Sequence, residues 1–370
     1  MYLADLGADV VSVVAPGRKD LMNAFPPTIT ETGLGASTSW LGRNKRTIYL
    51  NLKKPQSVAA IKKMVREYNV VVEQFRPGVM KRMGLDYETL REENPSLIYC
   101  SITGYGQDGP LAMRPGHDIN YMALSGNLLL LGDEDGKPVM PNFQLPDVAG
   151  GGLMTVIGLL SAAYYREKTG KGQYIDISMF DSVLPFTCIE GSGELAAKKY
   201  PGWKGKAMSG LSQGSAYDFF ETSDGKYMSI GALEPKFFAG LCKGLGIDEW
   251  TDGKIVTEDP ERVTSVLAEA FRKKTRDEWT EIFRNIDTCV EPVLTVTEMC
   301  ENEHVLARNM VPEVPVPLSE GKTVQQLGTP VRLSESPVIY NHAAYPVGYH
   351  TAEVLSQLGY RGDEIADMSS

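Results

Sequence analysis

Cysteine and histidine are scarce in this chain, and neither is spaced as a disulfide framework or a metal site requires. Its 370 residues include five cysteines and four histidines. An odd number of cysteines without a CxxC pair argues against a disulfide scaffold and favours a reducing, cytoplasmic location, with a mitochondrion or peroxisome as alternatives in a eukaryote. The histidines form no HExxH or similar motif, so no metal site is predicted.

The chain also lacks an excess of positive charge and a long apolar run. Its formal net charge is -10 at pH 7, which excludes broad electrostatic binding of nucleic acid, so an anionic ligand would need a local basic pocket. The most apolar stretch, residues 153–163, is too short to span a bilayer and predicts a buried helix. Neither nucleic acid nor a membrane is therefore expected as a partner.

The first half of the chain does contain a regular alternation of strand and helix signals. Short apolar or β-branched runs predict strands at 10–14, 47–52, 70–72, 97–102 and 174–178. Between them lie helical patterns, one opening at Pro55 and one, over 153–167, followed by a stop around Gly170. This alternation predicts an α/β fold with βαβ units and a mostly parallel sheet that has helices on both faces.

Composition divides the chain into four parts. Residues 1–184 are the predicted large domain, and residues 185–213, rich in Gly, Ser and Lys, are a predicted linker. Residues 214–310 open with a hairpin around Ser-Asp-Gly-Lys at 223–226 and predict a smaller α+β domain. Residues 311–370 form a Pro-rich return segment followed by helices that we expect to pack on the large domain.

Two polar segments lie where the chemistry of an α/β protein is usually found. Gly-His-Asp-Ile-Asn-Tyr at 116–121 follows the turns after the strand at 97–102, and ligands of open α/β sheets bind beyond the carboxyl ends of strands. Pro-Asp-Val-Ala-Gly-Gly-Gly at 146–152 puts Asp147 at a predicted helix start, where backbone N–H groups favour negative charge. Taken alone, His117 is typical of a structural hydrogen-bonding group and Asp147 of an N-cap.

Six segments carry more specific information: RPGVMKRMGLDYETL, NPSLIYCSITGYGQDGP, GHDINYMALSG, PDVAGGGLM, TGKGQYIDISMFDS and SIGALEPKFF. In this order they resemble segments of the family III CoA-transferases (the CaiB/BaiF superfamily), and specifically its α-methylacyl-CoA racemase branch. GYGQDGP and the aspartate before the Gly-rich helix are general to the superfamily. GHDINY and GALEP are more specific to racemases.

The resemblance implies roles for the motif residues. It assigns acid/base catalysis to His117 and Asp147, and it makes Glu234 of GALEP the partner of the histidine. Such an enzyme removes the proton next to a thioester carbonyl and returns it on the opposite face, which inverts the α-carbon of a 2-methylacyl-CoA. The pKa of histidine suits this task, and partial desolvation would raise the pKa of an aspartate toward it. The enolate oxygen is expected near the backbone N–H groups of Gly150 and Gly151.

By the same resemblance, CoA enters as part of the substrate and not as a cofactor. Arg76 and Arg82 match basic positions near CoA in relatives, and Arg82 is the stronger candidate. Lys53 and Lys54 fit a phosphate contact and a solvated face equally well. The other predicted contacts are Leu52, Gly104, Tyr105, Gly106 and Tyr121.

The resemblance also implies an architecture and exposes departures from it. Relatives have a Rossmann-like large domain and form interlocked homodimers, with each site between the large domain of one chain and the small domain of the other. They begin with a further segment that forms the first strand, so this chain is expected to lack that strand. Racemases usually carry Arg-Pro where this chain has Ala15-Pro16, and Asn-Leu where it has Phe143-Gln144, which is expected to reshape the acyl pocket.

Two other functions fit part of the same pattern. A CoA-transferase would form an acyl anhydride on Asp147 and leave His117 unused. Such relatives lack the histidine motif and carry a Gly-rich loop in the small domain, whereas no Gly run follows residue 215 here. A non-catalytic CoA-binding protein would keep the pocket alone, although the joint presence of His117, Asp147 and Glu234 argues against it. None of these motifs identifies the acyl group.

Overall fold

The computed structural model describes residues 1–132, 136–200, 216–253 and 259–370. The chain forms two compact units, one made of Met1–Phe186 and Glu303–Ser370 and the other of Thr187–Asn302. Residues 201–213 of the predicted linker lie outside the described part, as do 214–215 and 254–258 of the predicted small domain. The start of the predicted linker is helical, over Cys188–Ala197.

The strands of the described residues fall into small sheets, and those of the first half are parallel where the alternation predicts it. In chain order they are β1 Val11–Val14, β2 Thr28–Ile29, β3 Leu34–Gly35, β4 Arg46–Tyr49, β5 Val70–Glu73, β6 Ile98–Thr103, β7 Tyr174–Ser178, β8 Tyr217–Glu221, β9 Tyr227–Gly231, β10 Val290–Pro292, β11 Glu313–Pro315 and β12 Thr323–Gln325. Strand β1 pairs with β4, and β5, β6 and β7 form a second parallel sheet in that order. This pairing confirms the α/β class. Whether a further strand belongs to these sheets stays a prediction.

Helices connect the strands and complete the return segment. In chain order they are α1 Tyr2–Asp5, α2 Ala36–Leu41, α3 Pro55–Glu67, α4 Val79–Arg82, α5 Tyr87–Glu93, α6 Asp118–Leu124, α7 Asn127–Leu130, α8 Leu145–Thr169, α9 Met179–Val183, α10 Cys188–Ala197, α11 Pro235–Leu245, α12 Pro260–Phe271, α13 Arg276–Phe283, α14 Val296–Glu301, α15 Glu303–Ala307, α16 Thr351–Gln357 and α17 Gly362–Met368. Short 3₁₀ turns lie at Leu21–Ala24 and Leu184–Thr187.

The first unit includes the C-terminal helices in its core. Helix α3 starts with Pro55, whose fixed φ suits a first helical position. Its Ala60 and Met64 pack with Leu50 of the β4 end and with Leu355 of α16. Burying a side chain of the size of leucine contributes about 2 kcal/mol, so the return segment stabilises the sheet that it covers.

Helix α8 supports one of the two motif segments. Leu145–Leu153 is wound as a π-helix and Met154–Thr169 as an α-helix, which Gly170 ends in the left-handed conformation. Leu159 and Ala162 pack against Cys100 of β6. The helix therefore begins well before Leu153, where the sequence predicts its start. Its length and composition would allow it to cross a membrane, a test that core helices also pass, and only 28% of its most apolar stretch is buried. The prediction of a buried helix too short to span a bilayer is therefore wrong: Leu159 and Ala162 are buried, but Ile157 and Leu160 are exposed.

The second unit is built around an antiparallel sheet in the order β10-β9-β8, with the predicted hairpin between β8 and β9. Its core contains Phe238 of α11, Phe271 of α12 and Trp279 of α13. A capping box opens α13: the backbone N–H of Thr275 donates to the Glu278 carboxylate at 2.8 Å, and the N–H of Glu278 donates to Thr275 Oγ1 at 3.2 Å.

Candidate active site

His117 lies at the N-terminal end of α6, after the loop that leaves β6. Its backbone N–H donates to Asn120 Oδ1 at 2.9 Å, and the N–H of Asn120 donates to the His117 carbonyl at 2.8 Å. These two bonds close the first helical turn and fix the backbone of the histidine. The residue is exposed, so its imidazole is accessible to a substrate.

Tyr121 supports the loop that carries His117. Its hydroxyl donates to the Gly116 carbonyl at 2.8 Å, and its ring meets that of Tyr105 edge to face at 5.1 Å. Burial raises the pKa of Tyr121 to about 12, so it stays a protonated donor at neutral pH. A Cβ at Gly104 would lie 2.4 Å from the Tyr121 hydroxyl, which makes glycine necessary there. The structure therefore places these predicted substrate contacts around the histidine motif.

The turn after β6 is held by a carboxylate that sequence reasoning missed. Gly106 takes a φ of +84°, and the N–H of the next residue, Gln107, donates to Asp176 Oδ2 at 2.9 Å. The N–H of Phe180 donates to the Gly104 carbonyl at 3.0 Å. The available signal was the acidic position inside the otherwise apolar strand β7.

Asp147 is the third residue of α8 and not the residue that precedes it. Burial raises the pKa of the Asp147 carboxyl, and a positive charge on His117 partly offsets that rise. Although Asp147 is exposed, the surrounding protein removes part of the water around its carboxyl, and this moves the pKa upward. The charge of His117 acts on that carboxyl, so the two groups lie within electrostatic range of each other.

Asp118 is a second carboxylate of this site that sequence reasoning missed. Its Oδ2 accepts the backbone N–H of Asp147 at 3.0 Å. Burial raises the pKa of Asp118, the N–H bond lowers it and the Asp147 charge raises it. The residue is visible in GHDINY, but its partner lies far along the chain, so the spacing of the motif does not reveal its role.

The predicted oxyanion role of Gly150 and Gly151 needs correction, because these residues do not lie at the helix start. They lie inside the π-helical part of α8 and are buried, where N–H groups donate along the helix. A Cβ on Gly150 would come within 3.0 Å of the Met179 carbonyl. The glycines therefore serve the close contact between α8 and α9.

Of the basic residues predicted to bind CoA, Lys54 has other partners. Its Nζ lies 3.0 Å from Asp367 Oδ1 and 2.7 Å from Ser370 Oγ. Leu52 packs between hydrophobic clusters of the first unit, and Lys53 is exposed. For Lys54 the structure thus supports contact with the C-terminal segment in place of the predicted phosphate.

Arg76 and Arg82 are exposed and lie on either side of a turn. Gly78, with a φ of +80°, forms that turn, and a Cβ there would lie 3.4 Å from Arg82 Nη1. Arg76 borders a cavity of about 350 Å³ that is also lined by Glu73 and Gln107. Another cavity, of about 380 Å³, lies beside α6 and is lined by Tyr105, Arg114, Pro115, Asn120, Ala123 and Leu124.

Glu234 belongs to the second unit, where it precedes α11. Its carbonyl accepts the N–H groups of Phe237 at 2.9 Å and Phe238 at 3.0 Å, and the residue is exposed. Its pairing with His117 stays a prediction.

Comparison with known proteins identifies the class to which this fold and site belong. Residues 1–351 match the CoA-transferase family III. A CaiB/BaiF family protein from Brucella suis has a crystal structure that superposes with a TM-score of 0.82 at 30% identity, covering 96% of this chain and 93% of that one. The chain therefore belongs to the CoA-transferase family III, as its motifs predict, and is an enzyme.

Within the family, the chain is similar to proteins of two activities. The human α-methylacyl-CoA racemase is 36% identical over 380 residues, which cover 100% of this chain and 91% of the relative. The human succinyl-CoA:glutarate CoA-transferase is 32% identical over 371 residues, which cover 97% of this chain and 82% of the relative.

Proposed function

We propose that this enzyme is a racemase that inverts the α-carbon of 2-methylacyl-CoA thioesters. The observation that supports the proposal is the hydrogen bond from the Asp147 N–H to the carboxylate of Asp118 at 3.0 Å, which links Asp147 to the residue that follows His117. Burial raises the pKa of the Asp147 carboxyl while the charge of His117 restrains the rise. Proton transfer to and from carbon is most efficient when the acid and the base have pKa values near the working pH.

The reaction needs two proton transfers on opposite faces of the substrate. His117 takes the α-proton from one face, and the electron pair of the broken C–H bond moves to the thioester carbonyl as an enolate. Asp147, protonated, then returns a proton to the other face as the enolate collapses. His117 leaves the cycle protonated and Asp147 ionised, which is the starting state for the reverse direction. Burial of Asp147 favours the protonated form that the forward direction requires.

The proposed function also assigns residues to the CoA portion of the substrate and includes a second copy of the chain. CoA binds along Arg76 and Arg82 as part of the substrate, and Glu234 orients the imidazole of His117. The enzyme acts as a homodimer in the cytoplasm, a location compatible with its free cysteines.

A CoA-transferase is the second candidate, because the exposed Asp147 is accessible to an acyl group. In that reaction the Asp147 carboxylate attacks the thioester carbonyl and expels the CoA thiolate, which leaves an acyl anhydride. The CoA thiolate then attacks the aspartyl carbonyl and releases the first acid, and the acceptor carboxylate displaces CoA to form a second anhydride. Attack of the CoA thiolate on the acceptor's acyl carbon gives the new thioester and restores the Asp147 carboxylate. His117 has no required part in these steps.

Deuterium exchange followed by NMR separates the two reactions. The protein is incubated in deuterated buffer with a 2-methylacyl-CoA of one configuration, without and with an acceptor acid. We expect deuterium at the α-carbon and loss of stereochemical purity without the acceptor, and neither in His117→Ala. Asp363→Asn, which alters a carboxylate whose side chain is 75% exposed, should behave as the parent. CoA transfer that needs the acceptor, with no exchange, would replace the racemase by the transferase.

A further inference from the structure

Asp118 provides a side-chain hydrogen bond between α6, which carries His117, and α8, which carries Asp147. Asp118 is the first residue of α6, and its Oδ2 accepts the Asp147 N–H at 3.0 Å. The two carboxylates lie on segments far apart in sequence. The bond thus joins the backbones that hold the two reacting side chains.

The donor of this bond belongs to the first turn of α8, where N–H groups have no partner inside the helix. Pro146 has no N–H, and the N–H of Val148 donates to the Gln144 carbonyl at 3.0 Å. The N–H of Asp147 would be left to water without Asp118. A carboxylate is also the acceptor that a helix N-terminus favours. Asp118 therefore caps α8 from another helix.

We propose that Asp118 is a positioning residue that sets the separation of His117 and Asp147 through its hydrogen bond to the Asp147 backbone. The inference rests on the proposed racemase function, to which it adds a residue without a proton-transfer role. Reacting groups must be held close to the geometry of the reaction, and even a small displacement lowers the rate. Loss of this one hydrogen bond is therefore expected to slow α-proton exchange. The carboxylate of Asp118 also adds negative charge beside Asp147, whose charge in turn raises the pKa of Asp118.

Two substitutions separate the bond from the charge. Asp118→Ala removes both, whereas Asp118→Asn keeps an acceptor oxygen of the same reach. We expect Asp118→Ala to lower kcat for α-proton exchange by about 10- to 100-fold with little change in KM, and Asp118→Asn to recover most of that loss. Both should move the acidic limb of the kcat/KM profile to lower pH, because the pKa of Asp147 falls when a neighbouring negative charge is removed. The other titratable groups facing this pair are His117, Tyr121 and Tyr105.

A direct observation of the bond does not depend on activity. In protein labelled with ¹⁵N-aspartate, the Asp147 amide resonance should shift with pH as Asp118 titrates. The part of that shift that comes from Asp118 should disappear in Asp118→Ala and in Asp118→Asn but persist in Asp363→Asn, while the part that comes from the Asp147 carboxyl itself should remain in every variant. Circular dichroism of each variant establishes that it is folded.

The outcomes distinguish this inference from the racemase proposal. If the parent catalyses exchange and folded Asp118→Ala has the same kcat, the positioning role alone is overturned. The same holds if the pH-dependent shift of the Asp147 amide is identical in the parent and in Asp118→Ala. No exchange in the parent would overturn the racemase. The same variants would then be compared in CoA transfer, where Asp147 is the nucleophile, and an equal kcat in the parent and Asp118→Ala would again overturn the positioning role.

Discussion

Asp118 and Asp147 of the first unit lie in an electrostatic environment opposite to that of Glu298 in the second unit. In the first unit, burial raises the pKa values of Asp118 and Asp147. In the second, the Arg276 guanidinium donates to both oxygens of Glu298 at 2.6 and 3.0 Å and holds the pKa of that carboxyl far below its usual range.

This difference separates a carboxylate that is stabilised in its ionised form from one whose protonated form is favoured, as the proposed proton transfer requires. Pairing with Arg276 keeps Glu298 ionised at neutral pH, where it acts as a structural anion. Partial desolvation raises the pKa of Asp147, which favours its protonated form relative to a carboxyl in water, at a cost in stability above the ordinary aspartate pKa. The predictions below test that contrast, beginning with the largest expected effect.

Asp147→Asn should lower the rate of α-proton exchange by about 10²- to 10⁴-fold, the usual contribution of a general acid or base. It should not lower the free energy of unfolding at pH 7. A raised pKa in the folded state makes stability fall as the pH rises above the ordinary aspartate value of about 3.9, and the substitution removes that penalty. Urea unfolding at several pH values checks this. Reduced stability at pH 7 together with a normal rate of α-proton exchange would mean that Asp147 serves folding and not catalysis.

Phe238→Ala should destabilise the second unit by about 3–5 kcal/mol, because it opens a cavity in a packed core. Phe238 is 0% exposed, whereas Phe219 of the same unit is 64% exposed. Phe219→Ala is therefore the matched control and should have a much smaller effect on urea unfolding followed by Trp fluorescence. Equal effects would mean that this unit does not depend on its aromatic core.

Gly104→Ala should destabilise the first unit by about 1–3 kcal/mol, since the added methyl group forces Tyr121 to move. The loss of the Tyr121 bond to Gly116 should also slow exchange. Gly152→Ala is the control for stability, because a Cβ there meets only the Asp147 carbonyl at 3.7 Å. Thermal unfolding of the three proteins measures the difference, and an unchanged Gly104→Ala would show that Tyr121 is not confined.

Glu298→Gln should lower stability at neutral pH and have no effect in acid. A depressed pKa contributes stability above the ordinary glutamate value of about 4.3, and that contribution is lost as the pH falls through the lower folded value. Glu281→Gln, which alters a carboxylate with a 67% exposed side chain, is the control. A loss of stability that persists at low pH would mean that Glu298→Gln acts through the changed side-chain contacts and not through the lost charge.

Local patterns predicted the parallel strands well because burial in a sheet leaves a direct mark on the sequence. The strand at 174–178 has the same bounds in the sequence and in the structure. The start of α8 was misplaced for a physical reason, since Pro146 and Gly150–Gly152 resemble a turn in isolation. Close contact with α9 stabilises a helical form of those glycines, and no local pattern contains that contact.

Prediction of the candidate site was limited in the same way, because contacts between distant segments are not visible in local patterns. His117 and Asp147 were found because each lies in a motif, and the shared site could be expected from the ends of strands. Asp118 could not be assigned, because its hydrogen bond spans 29 positions of sequence. The partners of Lys54 were missed likewise, since Asp367 lies 313 positions away.

The two ends of helix α8 are held by different contacts. Its C-terminal part is fixed by the apolar contacts of Leu159 and Ala162 with the sheet, while its first turn carries Asp147. Mutations in the loop before the helix, where Val139, Met140 and Phe143 are exposed, leave those apolar contacts intact. The sequence of that loop can therefore change without disturbing the packing that holds α8 against the sheet.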